Sequence, residues 1–342
     1  TNQTLENELV RYTFDDRGTL VSAYDKQADR ELIDPADPGN LITLYEDVLG
    51  DAWDSDAHYR DQVVEHARLK SRRVAASEPL VGELAFDFEI GSSTITQTLR
   101  LRAMSRRLDF VTHVQWKESG RQLRVGFPVR LRTQQSTTEI QFGLQKWTTS
   151  KNHSWERAQT DVPAYRFADL SESDYGVALL NDCKYGYHIK EQTLDLHLMR
   201  ASVYPDETAD QGDHEFTYSL LPHTGRLEHS DVFFEAEALN QPVRVVSMPG
   251  CDLPLRIAAR GVVVEAVKLA EDSDDLLLRL YESRGQRERI KLAPARKNGV
   301  TFHACSLLEK AGDPLPISGD ACEVEFAPFE IRTVMCRRQA QR

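Results

Sequence analysis

The sequence is short of the features that define membrane, nucleic-acid-binding and disulfide-stabilised proteins. Its 342 residues are 40% hydrophobic and 28% charged, as in an ordinary globular protein, and no apolar run is long enough to cross a bilayer. The net charge of −12 argues against a nucleic-acid partner, because a phosphate backbone needs a basic footprint. The five cysteines include no CxxC pair, so neither a disulfide framework nor a zinc knot is indicated. We therefore expect a reducing, cytoplasmic setting, with no membrane or nucleic-acid partner.

Catalytic signatures are missing as well. There is no GxSxG elbow, no phosphate-cradling GxxxxGK and no GxGxxG motif. The ten histidines form no HExxH, CxxC…H or short His-x-His arrangement, so we expect no self-contained metal site in this chain. Paired carboxylates stay possible, because acids are plentiful, but no particular pair stands out. The chain starts at Thr1, with neither an initiator Met nor an apolar signal segment, as expected of a fragment.

Helical periodicity is also scarce. No segment sustains apolar residues at i, i+3, i+4 and i+7, and the longest candidate, 59–71, is too charged for a core helix. We expect that segment to be a surface helix at most.

What the sequence does contain is alternation with period two, the pattern of half-buried strands. One segment places apolar residues on one face and arginines on the other, which predicts that the arginines form a solvated outer face. The apolar residues are Leu123, Val125, Phe127, Val129 and Leu131, and the arginines are Arg124, Arg130 and Arg132. Further strands are predicted at 81–90, 93–103, 108–116, 138–147, 175–180 and 194–199, and a hairpin joins 8–14 to 19–25 through Gly18.

A domain boundary is predicted at Asn240, Gln241 and Pro242, ahead of the turn-rich segment 248–254. Residues 1–240 carry so many antiparallel strands that two large packed sheets are expected. Residues 241–342, with strands predicted at 261–269, 276–282, 300–308 and 323–336, are expected to form a small β-sandwich. The fold class is therefore all-β.

Two polar clusters are candidates for a site. In 204–221 a loop of acids, an amide, a glycine and His214 runs into an alternating strand, and it could hold a polar ligand or merely turn the chain with His214 buried. In 44–60, Trp53 lies among carboxylates, which suits sugars because they present an apolar face and a rim of hydroxyls. Alternatively, Trp53 plugs the end of a sheet. A third cluster, 180–187, is explained by turn chemistry.

Taken in order, the motifs of this chain resemble the C-terminal half of α-mannosidases of glycoside hydrolase family 38. The matching motifs include Phe14-Asp15-Asp16-Arg17-Gly18, Tyr45-Glu46-Asp47, Ala52-Trp53-Asp54, Asp174-Tyr175-Gly176, Tyr204-Pro205-Asp206, Ala209-Asp210-Gln211-Gly212, His214-Glu215-Phe216 and Pro328-Phe329-Glu330.

The resemblance implies a large antiparallel supersandwich of the galactose-mutarotase-like kind, followed by a smaller β-sandwich. It also implies that the retaining machinery, a zinc ion bound by two Asp and two His and a catalytic Asp, belongs to an N-terminal catalytic domain of the same polypeptide. The chain is then a non-catalytic region, inactive alone and without a cofactor of its own. Its parent would hydrolyse terminal α-mannosides of mannose-containing oligosaccharides and could form a homo-oligomer.

By the same resemblance, two loops are expected to form the rim of the sugar pocket. The residues on one side are Tyr45, Trp53, Asp54 and Asp56, and those on the other are Asp206, Asp210, Gln211, Gly212 and His214. Two other hypotheses stay open. One is a stand-alone carbohydrate-binding module, and the other is an aldose epimerase that uses His214 and Glu46 as base and acid.

Overall fold

The structure, a computed structural model, describes residues 2–54, 56, 58–245, 255–258, 260–294, 300–319 and 321–338. The predicted turn-rich segment 248–254 lies outside these residues. The chain divides into two compact units, one of Thr1–Glu139 with Gln145–Val243 and one of Ile140–Leu144 with Arg244–Arg342. Among the described residues no helix is long and apolar enough to span a bilayer.

The first part of the chain contains nineteen described strands and four short helical segments. The strands are β1 (Thr4–Glu6), β2 (Val10–Phe14), β3 (Leu20–Asp25), β4 (Arg30–Glu31), β5 (Leu41–Glu46), β6 (Val63–His66), β7 (Arg68–Glu78), β8 (Val81–Ile90), β9 (Ser93–Arg102), β10 (Leu108–Trp116), β11 (Arg121–Pro128), β12 (Gln135–Ile140), β13 (Gly143–Thr148), β14 (Val162–Pro163), β15 (Phe167–Ser171), β16 (Tyr175–Asn181), β17 (Gly186–Lys190), β18 (Thr193–Ala201) and β19 (Gly212–Thr224). The helices are α1 (Ser154–Ala158) and α2 (Val232–Asn240), with 3₁₀ turns at Tyr59–Asp61 and Leu227–His229.

These strands form three sheets. A nine-stranded front sheet has the order β13-β12-β15-β16-β19-β10-β9-β8-β7, and a six-stranded back sheet has the order β14-β17-β18-β11-β5-β6. A third sheet, of four strands, has the order β1-β2-β3-β4. Neighbouring strands are antiparallel, as at β10 with β19 and at β11 with β18. The predicted large antiparallel supersandwich is confirmed.

The core of the supersandwich lies between the front and back sheets. Phe110 on β10 stacks on Tyr218 of β19, with ring centroids 4.9 Å apart, and it contacts Phe127 of β11 at 5.4 Å. All three side chains are fully buried. These rings join the two sheets because apolar side chains on alternate positions of each strand face the same interior.

Three polar side chains lie in this core and satisfy one another's hydrogen bonds. The hydroxyl of Tyr218 donates to Asn40 Oδ1 at 2.9 Å, Asn40 Nδ2 donates to Gln97 Oε1 at 2.9 Å, and Gln97 Nε2 donates to the Tyr218 hydroxyl at 2.7 Å. The closed triangle compensates the desolvation of three buried polar side chains.

The second unit is a smaller sandwich. Its described strands are β20 (Leu255–Ala258), β21 (Val262–Leu269), β22 (Leu276–Glu282), β23 (Glu288–Pro294), β24 (Val300–Cys305), β25 (Ala311–Pro314), β26 (Ile317–Ser318), β27 (Ala321–Phe326) and β28 (Ile331–Arg338). They form sheets of order β20-β23-β27-β26 and β21-β22-β28-β24-β25, with a core that includes Leu280, Ile290 and Phe302. The predicted small C-terminal β-sandwich is confirmed.

Several sequence predictions of local structure need correction. The expected surface helix at 59–71 is wrong, because the chain makes a 3₁₀ turn at Tyr59–Asp61 and then enters β6 and β7. The charged residues of this segment lie in that turn, on β6 at the edge of the back sheet and on β7 at the edge of the front sheet, and charges on edge strands discourage edge-to-edge association. The predicted strands 138–147 and 323–336 are each divided by a turn, and each turn contains a phenylalanine with a positive φ: Phe142 at 61° and Phe329 at 57°.

The Phe110→Ala substitution tests the joining of the two sheets. Loss of the ring should lower the free energy of unfolding of the first unit by about 3 to 5 kcal/mol, because a large cavity is left in a packed core. Denaturant unfolding measures this, with Phe234→Ala as the matched control, since Phe234 is 66% exposed on α2. A loss equal to that of the control would contradict this packing.

Candidate functional site

The two polar loops predicted from the sequence meet in the structure. Asp51 and Tyr204 form a parallel β-bridge, and the backbone N–H groups of Val203 and Tyr204 donate to the carbonyl of Gly50 at 2.7 and 2.9 Å. We call residues 47–54, 56, 58 and 202–211 together the lip. The first segment follows β5 and the second follows β18, strands that both pair with β11 in the back sheet. Antiparallel pairing therefore brings the two segments to the same end of the sandwich.

The lip presents two aromatic rings to solvent. Trp53 and Tyr204 are 69% and 61% exposed, and their ring centroids lie 5.6 Å apart in an edge-to-face arrangement. The Trp53 turn is closed by Asp51, whose Oδ1 accepts from the N–H groups of Trp53 at 3.2 Å and Asp54 at 2.7 Å. An exposed indole is thereby held on an ordered turn, so it does not plug the end of a sheet.

Two further acids of the lip, Asp56 and Asp206, hold its backbone through their carboxylates. Asp56 Oδ1 accepts from the N–H of His58 at 2.9 Å. Asp206 Oδ1 accepts from both the N–H and the hydroxyl of Thr208 at 2.9 Å, and these bonds lower the pKa of the Asp206 carboxyl. The Asp206 carboxyl is therefore ionised at neutral pH and fixed within its own turn.

The end of the lip is tied to the front sheet. Asp210, in the left-handed region with φ of 59°, accepts through its carbonyl from His214 Nε2 at 2.7 Å. Gln211 Nε2 lies 3.5 Å from the carbonyl of Glu118, to which it donates. Gly212, with φ of 136°, begins β19 in a conformation that favours glycine. His214 is half-buried, although Phe216, in phase with it on β19, is fully inside.

Tyr45 is separated from the other eight predicted site residues. Its side chain is buried, and its ring meets Tyr59 edge-to-face at 5.5 Å. Burial raises the pKa of the Tyr45 hydroxyl. Tyr45 thus supports the lip from beneath instead of facing solvent beside Trp53.

The outer face of the back sheet carries a charged network that sequence reasoning missed. Arg124 was predicted to be solvated, and this is wrong, because its side chain is completely buried. Arg124 Nε donates to Asp195 Oδ1 at 2.5 Å, and Nη1 and Nη2 donate to the two oxygens of Asp161 at 2.9 and 3.3 Å. Arg124 is buried because the 3₁₀ turn packs over it, with the guanidinium 4.9 Å from the ring centroid of Tyr59. The alternation of residues along β11 gives no sign of this turn. Arg130 and Arg132 are exposed, as predicted.

The same turn adds two more bonds to this network. The Tyr59 hydroxyl donates to Asp161 Oδ1 at 3.1 Å, and Arg60 Nη1 donates to Asp195 Oδ2 at 3.0 Å. Although burial opposes it, the Arg124 guanidinium holds the pKa of Asp161 well below its usual range. One signal in the sequence pointed here, since Asp195 and His197 alternate with leucines in β18.

His197 borders this network as a neutral base. Its Nε2 donates to the carbonyl of Met199 at 3.0 Å. Part of the side chain reaches the surface, yet dense packing around the ring, reinforced by Arg124, lowers the pKa of His197 to about 3. Within the described ranges no three His, Cys, Asp or Glu side chains converge as metal ligands.

The residues named for an epimerase are engaged elsewhere. The Glu46 carboxylate forms an ion pair with Arg121, and His214 donates to the Asp210 carbonyl. Neither side chain is poised as an acid or base by these contacts.

Comparison with known protein families identifies the family of this chain. A model described as "Glycosyl hydrolases family 38 C-terminal domain" matches residues 5–208. The chain belongs to glycoside hydrolase family 38. A second model, "Glycosyl hydrolases family 38 C-terminal beta sandwich domain", matches residues 261–334 of this family 38 chain. The resemblance drawn from the motifs is confirmed.

The curated relatives of this family 38 chain are longer proteins. It is 35% identical over 351 residues to alpha-mannosidase 2C1 of Mus musculus, covering 97% of this chain and 33% of that protein. It is 33% identical to alpha-mannosidase G of Dictyostelium discoideum, covering 96% of this chain and 32% of that protein. The chain thus spans about a third of the length of the curated relatives it matches. The fold matches an alpha-mannosidase from Enterococcus faecalis V583 with a TM-score of 0.79 at 17% identity, over 98% of this chain and 42% of that one.

His197 gives the network a measurable pH dependence. In the unfolded chain it titrates near pH 6.5, so between that pH and about 3 protons bind the unfolded state preferentially. As pH falls from about 6.5 to about 4.5, this residue should remove up to ~1.4 kcal/mol of stability per pH unit.

The His197→Gln variant should therefore lose less stability than the wild type over this range, as measured by urea unfolding at several pH values. His58→Gln, at an exposed histidine, is the control and should keep the wild-type slope. Identical slopes in the wild type and His197→Gln would contradict this assignment.

Proposed function

We propose that this chain is the non-catalytic C-terminal region of a retaining, zinc-dependent α-mannosidase, and that its lip forms part of the rim of the sugar pocket. The observation that carries the proposal is the meeting of the two loops, which presents Trp53 and Tyr204 side by side to solvent. The relatives of this chain named above support an α-mannosidase as the parent enzyme.

The chemistry of the lip suits a sugar. A pyranose ring has an apolar face that packs on an indole, and its hydroxyls need directional donors and acceptors. The Trp53 ring supplies the apolar surface, and the carboxylate of Asp54 and the amide of Gln211 are exposed beside the lip's backbone. The lip would bind and orient the mannoside and exclude water from one side of it.

Bond cleavage is assigned to an N-terminal catalytic domain of the same polypeptide. Retaining hydrolysis needs a carboxylate nucleophile and a second carboxyl group about 5 Å from it, on opposite sides of the glycosidic bond. The acids Asp51 and Asp206 of the lip serve their own turns instead. Zinc, which would orient and polarise sugar hydroxyls, is assigned to that domain as well, and in the described part of this chain no three metal-binding side chains lie together to hold it.

We also propose domain ranges of 1–240 and 241–342, and a cytoplasmic location. Helix α2 ends at Asn240, which supports the boundary. Four cysteines in the described ranges carry free thiols, as suits a reducing compartment: Cys183, Cys305, Cys322 and Cys336.

Substitutions in the lip test its role in the full-length parent enzyme. Trp53→Ala and Gln211→Ala should each raise KM for an aryl α-mannoside about tenfold, with kcat within about twofold of wild type, since they remove ground-state binding without touching the reacting atoms. Trp155→Ala is the matched control, because Trp155 is 82% exposed on α1, which contacts Lys190 beside the start of β18, whereas the lip follows the end of β18. Unchanged KM in both lip variants would overturn the proposal.

The exposed aromatic pair also favours one second candidate, a carbohydrate-binding module that needs no catalytic domain. Isothermal titration of the 342-residue chain with mannose and mannobiose distinguishes the two functions. A saturable heat supports the module, whereas a flat titration removes it. Hydrolysis of an aryl α-mannoside by this chain alone, surviving a chelator, would contradict the assignment of catalysis to another domain.

A further inference from the structure

Arg200, at the end of β18, binds both ends of the turn that carries Trp53. Its Nε donates to Asp47 Oδ2 at 2.7 Å, and its Nη2 donates to Asp47 Oδ1 at 3.1 Å. The same Nη2 donates to the backbone carbonyl of Asp54. One planar guanidinium therefore connects the residue that leaves β5 with a residue directly after Trp53.

The Asp47 end of this contact is firmly anchored. The Asp47 side chain has no solvent exposure, and its N–H donates to the carbonyl of Gly120 at 3.0 Å. Gly120 in turn donates through its N–H to the carbonyl of Ala201, beside Arg200, at 2.8 Å. The start of the first lip segment is thus fixed to the back sheet. Through its bond to the Asp54 carbonyl, Arg200 also holds the other end of the Trp53 turn.

The contact requires an arginine. A bidentate bond to a carboxylate together with a third bond to a carbonyl uses the rigid fork of the guanidinium, whereas a lysine ammonium is a point charge on a flexible stem. Because the Asp47 carboxylate is buried, it depends strongly on Arg200: a buried carboxylate that loses its ion-pair partner is strongly destabilised.

We infer that Arg200 is a positioning residue that holds the Trp53 turn against Tyr204, so that the two rings form one preorganised surface. The link to sugar binding rests on the proposed function, but the positioning itself does not. Arg200 acts through Asp47 and Asp54, not on the substrate.

Hydrogen–deuterium exchange and steady-state kinetics of full-length Arg200→Lys test the inference together. The amides of Trp53, Asp54, Val203 and Tyr204 should exchange about tenfold faster than in the wild type, because the turn loses two of its three bonds to the guanidinium. Amides of β10 in the core of the front sheet should keep wild-type rates. KM for an aryl α-mannoside should rise about tenfold with kcat within about twofold of wild type.

Two further variants sharpen the test. Asp47→Asn keeps the shape of the partner but removes its charge, and it should reproduce the local exchange. Arg100→Lys is the matched control, because Arg100 makes a similar half-buried ion pair with Glu83 at 2.5 Å on the front sheet, and it should leave the lip at wild-type rates.

The outcomes separate the two claims. Wild-type exchange of the lip in both Arg200→Lys and Asp47→Asn overturns the positioning role, and so does faster exchange spread equally over β10 and the lip. Faster exchange confined to the lip with unchanged KM supports the positioning role and overturns the proposed sugar-binding function.

Discussion

The arrangement of this sandwich depends on the burial of Arg124 between Asp161 and Asp195. Removing the Arg124 guanidinium and the Asp195 carboxylate from water is unfavourable, and the fold compensates by giving the guanidinium three hydrogen bonds and an aromatic neighbour in Tyr59. Removing one partner of a buried ion pair typically lowers the free energy of unfolding by about 3 to 5 kcal/mol. The network therefore fixes where the 3₁₀ turn sits on the back sheet, and the turn fixes the far end of the first lip segment.

The lip follows from this constraint. Arg200 holds the start of the first segment and Arg124 with Arg60 holds its end, so the Trp53 turn lies between two anchored points. The second segment follows β18, which pairs with β11, and the bridge from Asp51 to Tyr204 joins the two. A surface suited to one face of a sugar is thus assembled from loops about 150 residues apart by antiparallel pairing. Under the proposed function, catalytic groups from another domain complete it.

How much of this could be predicted from the sequence depends on whether the signal is local. Strands β8 and β10 were predicted with their observed limits, because alternation of apolar residues reports directly on a half-buried strand. The same alternation placed Arg124 on the correct face but could not show that a turn covers that face. Each polar loop was recognisable by its own composition. The contact of Trp53 with Tyr204, however, is a tertiary contact that no local sequence pattern reports. The resemblance to family 38 supplied the pairing that local patterns lacked.

The most direct test of the central claim, that the anchored lip forms part of a sugar pocket, is an experimental structure of the full-length parent enzyme with a bound mannoside analogue. If the lip forms part of the pocket, the Trp53 or Tyr204 ring, and the Gln211 amide, will lie within about 4 Å of the bound sugar. A sugar bound in the catalytic domain with the whole lip more than roughly 10 Å away, beyond the reach of one intervening water, would contradict it.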